Sequence, residues 1–143
     1  MGSVAFVGSY LSLKTDVSFV NTEAAYQIIQ QDTTMQNSIE RGKTVYEDFC
    51  MQCHMATGEG IPGAFPPLAK ADYLLENRTK AIHAVKFGLK GPITVNGTDY
   101  NSVMAPLGLY DDEVADVMNY ILNSWGNTND KLVTEEEVAA VEE

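Results

Sequence analysis

Cys50-Met51-Gln52-Cys53-His54 places two thiols three residues apart, with an imidazole directly after the second. That spacing is the attachment signature of a c-type haem. Two thiols can add to the two vinyl groups of one porphyrin, and the adjacent imidazole then reaches the iron from below the ring. One turn of distorted helix presents all three groups. Other uses of these residues lack partners. A dithiol redox pair wants a preceding strand in a βαβ setting, whereas an amphipathic helical pattern precedes this one. A structural zinc wants four ligands, and the whole chain holds two Cys and two His.

An iron held by one imidazole takes a sixth ligand or keeps an open site. Thioether sulfur favours the ferrous state and raises the potential, so His/Met ligation suits an electron carrier. Six methionines are available. Met1 and Met35 precede the motif, and Met51 and Met55 flank its Cys-His cluster. Met118 falls on the apolar stripe of a later helix and reads as core. Met104 is left, in the loop Tyr100-Asn101-Ser102-Val103-Met104-Ala105-Pro106, fifty residues past His54. A loop methionine so close to a proline is poorly explained by packing, so Met104 is the expected distal ligand. His83 is the other side chain on offer, although a lone histidine in a helix reads more simply as a surface residue.

These residues need elements to hold them. Ile39, Gly42, Tyr46 and Phe49 recur at steps of three and four, which predicts a helix from about Met35 to Cys50 with those residues on one face. Ser38, Thr33 or Thr34 could cap it. Thr57 to Pro67 carries three Gly and three Pro and reads as an ordered loop. Asp72 to Lys90 reads as one or two short helices with Ala81, Val85 and Leu89 on one side, ended by Gly88 and Gly91-Pro92. Ile93 to Thr98 contains an Asn96-Gly97 pair and could form a small hairpin. A second strong helix is predicted from about Asp111 to Trp125, with carboxylates in its first turn, an apolar stripe of Val114, Val117, Met118, Ile121 and Leu122, and Gly126 as its stop. Thr134 to Glu137 has a capping-box pattern, which suggests a short C-terminal helix that is marginal unless docked.

The 143 residues fit one compact domain with some chain to spare. The division expected is an N-terminal arm at 1–34 packed on the domain, a central domain at 35–126 and an acidic tail at 127–143. The arm carries Phe6, Tyr10, Leu11, Leu13, Phe19, Val20, Tyr26, Ile28 and Ile29, too many large apolar groups to leave in water. A net charge of −11 argues against a nucleic-acid binder and against attraction to anionic lipid. The tail holds six acids against Lys131 alone, while the centre carries seven bases against eleven acids. Two cysteines cannot build a disulfide framework. No run of about 18 apolar residues is present to span a bilayer.

Taken together, the motifs resemble the class I monohaem cytochromes c over roughly Ile39 to Trp125. That family pattern is a first helix with Gly and an aromatic four residues on, then the Cys-Cys-His motif, Pro-x-Leu, a loop Met and a last helix. Here these are Gly42 and Tyr46, Cys50 to His54, Pro66-Pro67-Leu68, Met104, and Asp111 to Trp125. The resemblance implies an all-α fold that encloses the haem in about four to five helices with long loops. It implies haem c held by Cys50 and Cys53, iron ligated by His54 and Met104, and Leu68 packed in the cofactor pocket. It also implies that the Pro66 carbonyl accepts the other ring N–H of His54, and that Gly42 meets Val117 and Tyr120. A narrower likeness runs from Phe87-Gly88-Leu89-Lys90-Gly91-Pro92 to Met104. It is to cytochrome modules serving copper nitrite reductases, quinoprotein dehydrogenases and terminal oxidases, which commonly have Met-Pro-Pro where this chain has Met104-Ala105-Pro106.

The function implied is one-electron transfer through an exposed haem edge, without a substrate pocket. Redox partners would be a terminal oxidase, a nitrite reductase or a quinol-oxidising complex, met by a monomer. The alternatives are a detached domain of a larger enzyme, or a gas-binding or peroxidase-like protein with an open sixth site. Haem attachment in such proteins takes place outside the cytoplasm, so a periplasmic location or the outer membrane face is expected. The first residues make a poor secretory signal, so the reading is a removed leader, or a missing N-terminal anchor as the one route to a membrane. The partner face is expected to centre on Ala64, Phe65, Val103, Ala105 and Leu107. Lys70, Arg78, Lys80, Lys86 and Lys90 are expected to border that face and make it less acidic than the whole.

Overall fold

The computed structural model describes residues 21–143. Helix α1 (Thr22–Phe49) runs into a single turn, α2 (Met51–His54). The Gly/Pro loop follows, then α3 (Asp72–Glu76) and α4 (Arg78–Phe87). Strands β1 (Ile93–Val95) and β2 (Thr98–Tyr100) pair antiparallel, with Val95 opposite Thr98. Asn96 and Gly97 both have positive φ, the conformation that a two-residue hairpin turn with matching twist requires. Helices α5 (Asp111–Leu122) and α6 (Glu135–Ala139) complete an all-α architecture with one small hairpin among the described residues.

The core is built where α1 crosses α5. A side chain at Gly42 would strike the carbonyl of Asp116, and it would lie 2.9 Å from the amide nitrogen of Val117. The two backbones are therefore in direct contact. Gly42 meets Val117, as expected, with Asp116 beside it as its nearest neighbour. Tyr120 instead stacks on Tyr46, ring centroids 5.3 Å apart, and Trp125 closes the cluster at 5.0 Å from Tyr46. Beside the crossing, Ser38 donates to Asp116 at 2.6 Å, and Arg41 grips both Asp116 oxygens at 2.6 and 2.7 Å. Ser38 is thus a buried mid-helix residue and not a cap.

Helix α1 begins thirteen residues before the expected start, capped by Asn21, whose side chain accepts from the amide of Glu23. Residues 22–34 form the first turns of this helix. Tyr26, Ile28 and Ile29 are 56%, 61% and 64% exposed. Thr33 and Thr34 bond back to the carbonyls of Ile29 and Gln30, so neither caps a helix. The helix continues because nothing in Thr22–Gln36 breaks it: the stretch holds no Gly and no Pro. The apolar groups named for residues 6–20 lie outside the described residues.

The C-terminal segment is part of the same core. Val133, Val138 and Val141 are buried, and the buried Asn119 side chain bonds both the amide and the carbonyl of Val133. Arg78 makes a two-pronged contact with Glu137 at 2.7 and 2.8 Å and bonds the carbonyls of Lys131 and Leu132. Lys86 reaches the carbonyls of Val138 and Val141. Docking stabilises a five-residue helix that would not persist alone.

Candidate haem site

The end of α1 delivers Cys50, and the one-turn α2 delivers Cys53 and His54. The turn is held by the amides of Cys53 and His54, which donate to the Cys50 carbonyl, and by the Tyr46 hydroxyl, which donates to the Met55 carbonyl at 2.7 Å. Burial, with Cys53 adding, pushes the Cys50 thiol up to about 11. A thiol held neutral in this way is the reverse of what an oxidoreductase dithiol needs. The two sulfurs are not joined to each other.

His54 is buried, and its Nδ1 lies 2.9 Å from the Pro66 carbonyl. That oxygen can only accept, so Nδ1 carries the proton and Nε2 keeps its lone pair. Burial lowers the imidazole pKa, partly offset by the same hydrogen bond, and favours the neutral form that binds metals. The Pro66 loop is fixed in turn by the amides of Leu68 and Ala69, which donate to the Gly58 carbonyl at 2.7 and 2.9 Å. A side chain at Gly60 would collide with the carbonyls of Phe65 and Pro66.

Across the cavity, Met104 is pinned to the end of α4. Its amide donates to the Leu89 carbonyl at 2.9 Å, and the Leu89 amide donates back at 2.8 Å. Gly88, at φ +82°, makes room: a Cβ there would sit 2.5 Å from the Met104 carbonyl. Ser102 donates to the Ala64 carbonyl and ties the methionine loop to the Gly/Pro loop.

Between these loops lies an apolar cavity, and a cleft beside it shares several of its walls. Cys50, His54, Pro66 and Met104 line both; Leu68 lines the inner space and Cys53 the outer. An almost wholly apolar lining with a few polar groups converging on it is the character of a cofactor site. The residues fit a haem: an apolar slot, two unjoined thiols at its edge, and a neutral imidazole with one nitrogen free. His83 lines neither space and packs on Phe87, centroids 5.1 Å apart. Met118 lines the inner wall but is fully buried on α5.

Residues 39–125 match the cytochrome c family. The chain belongs to that family. It is a class I monohaem cytochrome c, an electron-transfer domain with one covalently bound haem c. Cytochrome c-552 of Thermus thermophilus is 43% identical over 91 residues, which are 60% of this chain and 69% of that protein. The gluconate 2-dehydrogenase cytochrome c subunit of Pantoea cypripedii is 30% identical over 129 residues, 83% of this chain and 29% of the subunit. The cytochrome c subunit of the quinone alcohol dehydrogenase of Gluconobacter oxydans is 34% identical over 90 residues, 60% of this chain and 18% of the subunit. The chain thus spans less than a third of either dehydrogenase subunit.

None of Lys70, Arg78, Lys80, Lys86 and Lys90 lines the cavity or its mouth. Arg78 and Lys86 are engaged by the C-terminal segment, Lys86 also pairing with Asp111 at 3.1 Å. The rim is apolar instead: Phe49 and Val103 are 47% and 66% exposed there. Sequence reasoning also missed Trp125 and Asn127. Trp125 donates to the Ala56 carbonyl at 3.0 Å, just past the Cys-Cys-His turn, while Asn127 bonds the Leu68 carbonyl and the Lys70 amide. A single asparagine in a post-helix turn has no sequence signature that sets it apart from an ordinary turn residue.

Proposed function

We propose that this cytochrome is a mobile or tethered one-electron shuttle between a respiratory donor and a terminal oxidase or nitrite reductase, working in the periplasm or on the outer membrane face. Cys50 and Cys53 would hold the haem through thioether bonds, and His54 Nε2 and the Met104 sulfur would ligate its iron. The bound group supplies a one-electron ferric–ferrous couple. The chain does the rest. The Pro66 carbonyl orients the imidazole and raises its donor strength, Leu68 helps to keep water from the inner face, and the Leu89–Met104 bridge fixes the backbone that carries the thioether. The observation that carries the reading is that His54 and Met104 line the same apolar cavity, each fixed by backbone hydrogen bonds. A rigid ligand pair keeps reorganisation small in a carrier, whereas a peroxidase-like or gas-binding site wants an open position. Partners meet the apolar rim near Phe65, Val103, Ala105 and Leu107 in a short-lived contact, with the cytochrome as a monomer.

A second reading has support of its own. The gluconate 2-dehydrogenase subunit aligns over 83% of this chain, well beyond the family core. On that reading the chain is a domain of a larger enzyme, such as a quinoprotein dehydrogenase, copper nitrite reductase or terminal oxidase. Stopped-flow mixing separates the two. The reduced protein should be oxidised within seconds by a terminal oxidase or nitrite reductase of the same source, without consuming peroxide. No oxidation by either, with rapid reduction only inside a dehydrogenase complex, would favour the second reading.

A further inference from the structure

The Pro66 carbonyl that accepts from His54 belongs to a loop held from two sides. On one side are the Leu68 and Ala69 amides bonded to Gly58. On the other is Asn127, which lies two residues beyond the stretch that matches the family. Its side chain is buried and fully engaged: Oδ1 accepts from the Lys70 amide at 2.7 Å, and Nδ2 donates to the carbonyls of Leu68 at 3.0 Å and Ile121 at 2.9 Å. One side chain therefore ties the haem-side loop to the end of α5. Lys70 has φ +52°, in the left-handed region that a lysine occupies only when its surroundings hold it there. Its side chain lies over Gly126, where a Cβ would come within 2.9 Å of Lys70 Cε.

We infer that Asn127 is a positioning residue for the redox site, fixing the Leu68–Lys70 backbone and through it the Pro66 carbonyl that governs the donor strength of His54. The inference rests on His54 as an iron ligand. A firm Nδ1–H···O bond makes Nε2 a better donor and favours ferric iron. Loosening the loop weakens that bond and shifts the balance toward ferrous.

The test compares four full-length holoproteins: wild type, Asn127→Ala, Asn127→Ser and Val138→Ala. Val138 is fully buried on α6 and makes no bond to the loop through its side chain, so its variant reports destabilisation alone. Two quantities are read: the ferrous-to-ferric ratio at a fixed ambient potential, and the rate at which the His54 Nδ1 proton exchanges with solvent by NMR. Asn127→Ala should raise the ratio at least about twofold and speed the exchange, and Asn127→Ser should do both to a lesser degree. Val138→Ala should melt earlier with neither quantity changed. If the alanine variant does not mature, the serine variant decides. The inference is overturned if the Asn127 variants behave like Val138→Ala, less stable but unchanged in ratio and ring-proton exchange. A high-spin ferric wild type would instead strike at the ligand reading, and the ring-proton comparison would still judge Asn127.

Discussion

Gly42 has no room for a side chain, because the Asp116 carbonyl occupies the place a Cβ would take. That obstacle is backbone on α5, which cannot rotate aside as a flexible side chain would. Gly42→Ala should therefore destabilise the holoprotein by about 3 kcal/mol, the upper end for overpacking, read as a fall in melting temperature. An unchanged melting temperature would mean that the helices slide apart freely. Met104 has the opposite character, since its place is fixed by backbone bonds to Leu89 and not by its side chain. Met104→Ala should keep the haem attached, lower the reduction potential and admit cyanide to the ferric iron. A variant that excludes cyanide as well as wild type would remove Met104 from the ligand set.

At the scale of elements, the two ends of the chain behave differently. The first three turns of α1 are exposed, so Ile28→Ser should change the melting temperature little, within about 0.5 kcal/mol. A clear fall would show that those turns are covered in solution. The C-terminal segment is held in part by Arg78 on Glu137. The Arg78 hydrogen bonds keep the Glu137 carboxyl below its ordinary value of 4.5. A carboxylate with a lowered folded pKa adds stability that is complete above the unfolded value and fades as the pH falls through the folded one. Acid melting curves should thus show the tail loosening below about pH 4.5, and Glu137→Gln should lose that pH dependence while melting earlier at neutral pH. The periodic helices were legible in the sequence, as were the Asn96-Gly97 turn and the capping pattern at Thr134, because each rests on local rules. The start of α1 was not, since Gln- and Thr-rich helix surface has no apolar stripe to announce it. Docking of the tail was not either, since it depends on Asn119 and Arg78, which lie 14 and 59 residues from Val133 and Glu137 respectively.

For the whole molecule, the net charge of −11 sets the long-range field, while the cavity rim is apolar. Electron transfer to a terminal oxidase should therefore depend only weakly on salt, changing less than about tenfold between low and moderate ionic strength. A steeper fall would place charge pairing at the contact. The haem motif, its histidine and the loop methionine were legible in sequence because thiol spacing and ligand chemistry are local constraints. The loop supports at Gly60, Gly88, Ser102 and Asn127 were not, because each acts on a carbonyl or amide far along the chain. The most direct test of the account is the ferric absorption spectrum of the purified holoprotein near neutral pH. His54 and Met104 as the axial pair predict low-spin iron that is slow to take up cyanide. High-spin ferric iron that binds cyanide readily would contradict it.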